Sequence, residues 1–150
     1  MIQRIQTLWL FLAALISGLM MLDWYTGYVY KADIPEGFGS AVKYLTVRSD
    51  FPSLVIAMGM TLLPLIAIFL FKDRKKQRAQ TLLAMLVSVG FIAINLFRIS
   101  NFNKNTSPAP ANGSYQLGSL LPVLVILFLI LALRGINKDE KLVKSMDRLR

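Results

Sequence analysis

The chain has 150 residues, 55 % hydrophobic and only 17 % charged, yet it carries a formal net charge of +9. It has no cysteine and no histidine. That excludes disulfides, thiolate nucleophiles, His-ligated haem, Cys/His zinc sites and any catalytic triad or dyad built on imidazole. The length suits one domain, and the Lys and Arg residues lie between long apolar runs rather than together on a polar surface. This pattern reads as a membrane protein with basic flanks, not a nucleic-acid binder.

The first apolar run covers residues 5–22, "IQTLWLFLAALISGLMML", close to the ~20 residues that a spanning helix needs. A cleaved signal peptide is the lesser reading, because the n-region holds only Arg4 and no small-x-small site precedes Asp23. Ala14 and Gly18, with Ala13 and Ser17 beside them, form small-xxx-small pairs that let a neighbouring helix approach.

Residues 23–52 follow as an external loop holding Trp24, Tyr25, Tyr28, Tyr30, Phe38 and Tyr44, side chains that favour the membrane–water boundary. "YVYK" (28–31) and "KYLTV" (43–47) have strand-like composition and flank the turn-rich "IPEGFGS". A small external β-hairpin over the helix ends is the sharper expectation, and an aromatic belt with irregular backbone the plainer one.

The second span is residues 53–71, with Ser53, Ala57 and Thr61 as interface candidates and Pro64 in mid-span. Proline there removes a backbone donor, predicting a kink and a freed carbonyl met by a neighbour or a hydroxyl. After the basic loop 72–78, "KDRKKQR", the third span runs over 79–99. Its Thr81, Ala84, Ser88, Asn95 and Arg98 fall on one helical stripe. Asn95 and Arg98 read first as a structural clasp near the outer surface, Arg98 being close enough to the interface to snorkel. The sharper reading is a ligand site closed by Asp23 or Asp50.

Residues 100–116, "SNFNKNTSPAPANGSYQ", have the composition of a flexible connector. The fourth span, 117–133, is almost all Leu, Ile and Val after Pro122 and is expected to face lipid along much of its length. The tail 134–150 reads as a separate amphipathic helix. Asn137 would cap it with Glu140 reaching back, Asp139 and Glu140 would sit in the first turn, and Leu142, Met146 and Leu149 would make a narrow apolar stripe. Lys138, Lys141, Leu142, Lys144, Met146, Arg148 and Leu149 are the residues expected to meet lipid headgroups or another protein.

Orientation follows from the cations. Arg4; Lys72, Arg74, Lys75, Lys76 and Arg78; and Arg134, Lys138, Lys141, Lys144, Arg148 and Arg150 make up twelve of the 17 basic residues. Short basic loops stay cytoplasmic, so both termini and loop 72–78 are expected inside, with loops 23–52 and 100–116 outside. The expected fold class is an all-α integral membrane protein, one membrane domain over residues 1–150 forming a four-transmembrane-helix bundle.

"MIQRIQT" at the start, "FKDRKKQ" after the second span, "YQLGSLLPV" entering the fourth and "LRGINKDEKLVKSMDRLR" at the end resemble an uncharacterised family of small four-helix inner-membrane proteins from Bacteroidota, a domain of unknown function. The resemblance covers essentially the whole chain, and the terminal motif is its most specific part. It implies a bacterial cytoplasmic membrane and four helices. It implies no activity and carries over no site.

All eight acids, Asp23, Asp33, Glu36, Asp50, Asp73, Asp139, Glu140 and Asp147, lie outside the expected spans. Proton-coupled transport usually runs through a buried carboxylate, and general acid–base work needs a titratable group at the reacting centre. The expectation is therefore an accessory, scaffold or assembly subunit of a membrane complex, not an enzyme, with no cofactor and no metal. The alternative is a small oligomeric transporter, channel or lipid/ligand-binding protein without proton coupling. Expected partners are membrane lipids and another membrane protein or further copies of the chain, with no nucleic acid.

Overall fold

The computed structural model describes residues 2–22, 26–36 and 39–147, with side chains between Ile5 and Val143. Four helices alternate with a small sheet: α1 Ile2–Leu19, β1 Tyr28–Glu36, β2 Gly39–Thr46, α2 Phe51–Phe69, α3 Arg74–Asn105, β3 Asn112–Tyr115 and α4 Leu117–Asp147. Each helix packs mainly on its neighbours in chain order, and α1 closes the ring against α4.

The inward face of every helix follows one rule. Buried positions step by threes and fours: Gln6, Leu10, Ala13 and Ser17 on α1, continued by Met20 in the turn after it, and Ser53, Ala57, Met60, Pro64 and Ala67 on α2. On α3 they are Gln77, Thr81, Ala84, Ser88, Phe91, Asn95 and Ile99, and on α4 Pro122, Val125, Leu129, Ala132, Ile136 and Asp139. Such spacing keeps a stripe facing the bundle axis. Small or weakly polar side chains in the stripe let backbones come close, and the hydroxyls of α3 bond within their own helix. Thr81 donates to the carbonyl of Gln77 (2.8 Å) and Ser88 to that of Ala84 (2.9 Å).

The outward face is apolar too. Phe69 is 80 % exposed and Leu86 69 %, with Leu8, Phe11, Leu62, Phe97 and Leu120 also turned out. A water-soluble monomer rarely exposes such large contiguous apolar surface. Among the described residues three helices, Phe51–Phe69, Arg74–Asn105 and Leu117–Val143, are long and apolar enough to cross a membrane; the apolar part of α1, Ile5–Leu19, is shorter. These features suit a membrane protein.

Pro64 lies inside α2 and is buried. Its missing N–H leaves the carbonyl of Met60 without an intrahelical partner. Ser17 of α1 places its Oγ 3.2 Å from that oxygen, and 2.9 and 3.0 Å from the carbonyls of Ala13 and Ala14 in its own helix. The hydroxyl has one proton for these three oxygens, and with the Met60 carbonyl within its reach it joins α1 to α2 at the proline.

The structure departs from an all-α reading. The hairpin is longer than its strand-like segments suggested, and the third strand comes from the stretch expected to be a flexible connector. The order is β2-β1-β3, antiparallel throughout. "NGSY" has little strand composition; it pairs because α3 runs on to Asn105 and returns the chain beside β1. A register shift between Tyr28 and Tyr30 frees the Val29 carbonyl, which accepts from the N–H of Gln116 (3.0 Å).

The face of the sheet turned to the bundle carries Tyr30, Ala32 and Ile34, all buried. Tyr30 crosses β3 at Gly113, packs edge-on to Tyr115 and donates its hydroxyl to Asn103 Oδ1 of α3 (3.3 Å). A Cβ at Gly113 would overlap the Tyr30 hydroxyl and lie 2.6 Å from Cζ. Gly113→Ala is therefore expected to cost about 1–3 kcal/mol, as overpacking does, and to expose segment 106–116 to protease. Gly39→Ala, whose Cβ would meet nothing within 4 Å, should stay within about 0.5 kcal/mol. Thermal unfolding in detergent compares the two; equal losses would contradict the Tyr30–Gly113 contact.

Candidate functional site

Polar groups concentrate at the two ends of the bundle. At the sheet end the centre is Arg98, on α3 one turn after Asn95. Its Nη1 donates to Ser53 Oγ (2.8 Å) and Asn95 Oδ1 (3.1 Å), and its Nη2 to the Thr46 carbonyl (3.3 Å) and Ser49 Oγ (2.8 Å). Nε pairs with the carboxylate of Asp50. Five oxygens thus surround a group that can only donate. Four accept hydrogen bonds from Nη1 and Nη2, while the Nε–Asp50 contact is an ion pair without hydrogen-bond geometry.

The partners come from different places: Thr46 ends β2, Ser49 and Asp50 lie in the turn before α2, and Ser53 is in the first turn of α2. Asp50 occupies the N-cap position of α2 but makes no side-chain cap bond, since its carboxylate faces Arg98. Pro52 near the helix start needs no donor there. The Arg98 side chain is 12 % exposed and that of Asp50 47 %, so the pair has one foot in solvent. Asp23, the other acid expected here, lies outside the described residues.

Asn95 is buried and donates its amide to the Phe91 carbonyl (2.9 Å). Because a guanidinium can only donate, Arg98 fixes which end of that amide is oxygen.

The opposite end holds a second cluster. Gln6 of α1 donates through Nε2 to Asp139 Oδ2 of α4 (2.5 Å), and Arg74 Nη1 of α3 reaches the Asp139 backbone carbonyl (2.9 Å). Arg78 stands 3.8 Å from Glu140. Gln6 and Asp139 are both buried. Gln6 reaches Asp139 by lying over Gly135, where a Cβ would come within 2.6 Å of its Cγ. Nearby, Asp73 caps α3, accepting from the N–H of Lys76 (3.2 Å) with the Lys76 ammonium 3.2 Å from its other oxygen. The backbone and side-chain bonds from Lys76 hold its carboxyl below the ordinary 3.8.

This end overturns the reading of the tail as a separate helix capped by Asn137. Asn137 is no cap, because α4 continues without interruption to Asp147. Asp139 and Glu140 turn toward the bundle instead of filling a first turn. The signal was present: the inward steps of α4 carry on past Ile136 to Asp139, and only the polar composition after Arg134 suggested a break. Lys138, Lys141 and Leu142 are exposed. Lys144 and Met146 lie in the helix, their side chains among those not described, and Arg148 and Leu149 fall outside the described residues.

The remaining interface candidates are distributed along the bundle. Ala14 and Ala57 are buried, and a Cβ on Gly18 would sit 3.5 Å from Thr61 Cγ2. Thr61 Oγ1 bonds the Ala57 carbonyl (2.9 Å) and lies 3.9 Å from Met21 Sδ. Thr81 and Ser88 face inward between the two clusters. The structure brings Asn95 and Arg98 together, and keeps them far along α3 from the tail residues.

The family described as Domain of unknown function (DUF4293) matches residues 2–149. The chain belongs to that family. No curated protein and no solved structure matches it, so the geometry itself carries the functional reading.

Arg98→Gln should destabilise by about 3 kcal/mol, the lower end for breaking a buried charge pair, since Asp50 is half solvated. Arg98→Lys, with three donors for five oxygens, should fall between. Asp50→Asn should cost under about 1 kcal/mol, as for an exposed partner. Unfolding in detergent orders the three, and an Asp50→Asn loss equal to that of Arg98→Gln would mean the ion pair alone, not the five-oxygen shell, holds the site. At the other end, Gly135→Ala is expected to cost about 1–3 kcal/mol, and Gln6→Ala combined with Gly135→Ala should recover part of that loss in a double-mutant cycle.

Proposed function

We propose that this chain is a four-span protein of a bacterial inner membrane, with both termini cytoplasmic, serving as an accessory, scaffold or assembly subunit of a larger membrane complex. The observation that carries this reading is the fate of its polar groups. The Arg98 guanidinium at the sheet end is surrounded by the protein's own oxygens, and the buried carboxylate of Asp139 accepts from Gln6. Groups engaged in this way organise the fold, and they leave surfaces to be used by others.

The four-span assignment is supported by geometry. The helix α2, at 19 residues, extends about 28 Å at 1.5 Å per residue, against a hydrocarbon thickness of about 30 Å. α3 and α4, with 32 and 31 residues, reach about 48 and 46 Å and project beyond it. α1 is shorter, but it is wedged between α2 and α4 and carries an outward stripe of Ile5, Leu8, Phe11, Leu15 and Leu19. The basic residues of loop 72–78 and of the end of α4 lie at the end away from the sheet, which the positive-inside rule places in the cytoplasm.

Because the chain lacks cysteine, single-cysteine labelling tests orientation directly. Lys75→Cys is expected to resist a membrane-impermeant maleimide in intact spheroplasts, and Lys31→Cys to react; the reverse pattern, or reaction of both, defeats the topology. The accessory role is tested by crosslinking in native membrane, mild-detergent purification and mass spectrometry. A stoichiometric partner protein is the expected outcome. A lone homo-oligomer carrying small molecules would instead favour the transport or ligand-binding reading.

A further inference from the structure

We infer that the outward-facing groove between α3 and α4, beneath β3, is a binding site for one acyl chain of a membrane phospholipid. The inference rests on the membrane placement proposed above but not on the accessory role. The groove has a volume of about 490 Å³ and is walled by Leu96 of α3, Tyr115 and Gln116 at the end of β3, and Leu117 and Leu120 of α4. It shares Leu96, Tyr115 and Ser119 with a narrower apolar cleft of about 40 Å³ that runs inward between Phe91, Ile99 and Pro122. Volumes of a few hundred cubic ångströms, mostly apolar with a few placed polar groups, are typical of small-molecule sites.

The shape selects the occupant. A helix with its side chains is about 10–12 Å across, too wide for the inner cleft of about 40 Å³ that opens from the groove. A single hydrocarbon chain is one methylene wide and can follow both. Polarity is graded along the path. The inner cleft presents mainly carbon, while Asn95 lines its wall with the amide whose orientation Arg98 fixes. One N–H of that amide goes to Phe91, and its second donor can meet an ester carbonyl. Ser119 donates to the Gln116 carbonyl (2.7 Å), keeping its oxygen as an acceptor at the groove wall. The exposed rims, Leu96, Leu117 and Leu120, would lie in hydrocarbon just below the sheet, where a phospholipid's acyl chains begin.

The test uses the full chain in phosphatidylethanolamine–phosphatidylglycerol vesicles doped with a phospholipid whose acyl chain bears a diazirine. A parallel arm uses the free diazirine fatty acid, to separate a phospholipid chain from a free fatty acid. After irradiation, peptide mass spectrometry should find labelling concentrated at Leu96 and Leu120, in excess over the outward face of α2 at Leu62 and Ile66. Ser119→Trp and Leu120→Trp should each lower that labelling roughly five-fold and leave α2 labelling unchanged. Leu120 is a surface position, so its variant carries the test if Ser119→Trp fails to fold. Even labelling of all outward faces would mean bulk lipid only and would overturn the site. So would labelling by the free fatty acid alone, or a partner protein crosslinking at Leu120 in native membrane. If the chain does not incorporate into vesicles, the membrane placement itself falls.

Discussion

A guanidinium away from bulk water must find oxygens for its five donors, and most of the sheet end is arranged to supply them. Arg98 stands on α3, but its oxygens come from the end of β2, the turn before α2, the first turn of α2 and Asn95 of its own helix. Meeting that demand fixes how the hairpin enters the second helix and what Asp50 does with its carboxylate. It also fixes the orientation of the Asn95 amide. An uncompensated charge there would cost several kcal/mol, so these elements are held together more firmly than their few backbone bonds would suggest.

The bundle below is governed by a second constraint. Each helix turns a narrow stripe inward, with small or weakly polar residues set among larger apolar ones, and a wide apolar face outward. Where hydrocarbon is the surrounding medium, burying more hydrocarbon gains little, and close approach with hydrogen bonding decides which faces meet. The Ser17 hydroxyl at the carbonyl released by Pro64, and the Gln6 side chain lying over Gly135, are two instances. Both use a small residue or a missing backbone donor as the place where two helices join.

Much of this was legible in the chain. The four apolar runs, the turn-rich "IPEGFGS" between strand-like segments and the polar stripe of α3 all follow from local periodicity and composition, which a sequence states directly. What was not legible depended on distant parts of the chain. "NGSY" became a strand because β1 had an unpaired edge beside it, not through its own propensity. The tail looked like a new helix because composition changes sharply at Arg134, yet the backbone has no reason to break there: Gly135 is tolerated, and Asp139 falls on the inward stripe where Gln6 and Arg74 meet it.

The residues by themselves determined the class of medium, the apolar runs and the asymmetry of charge, because each depends only on how side chains partition between water and hydrocarbon. Only the tertiary structure decided the order of the helices around the ring, the third strand, the partners of Arg98 and the docking of Asp139. Those depend on which donors and acceptors arrive at the same point in space, and residues 45 to 133 positions apart cannot announce that arrival locally.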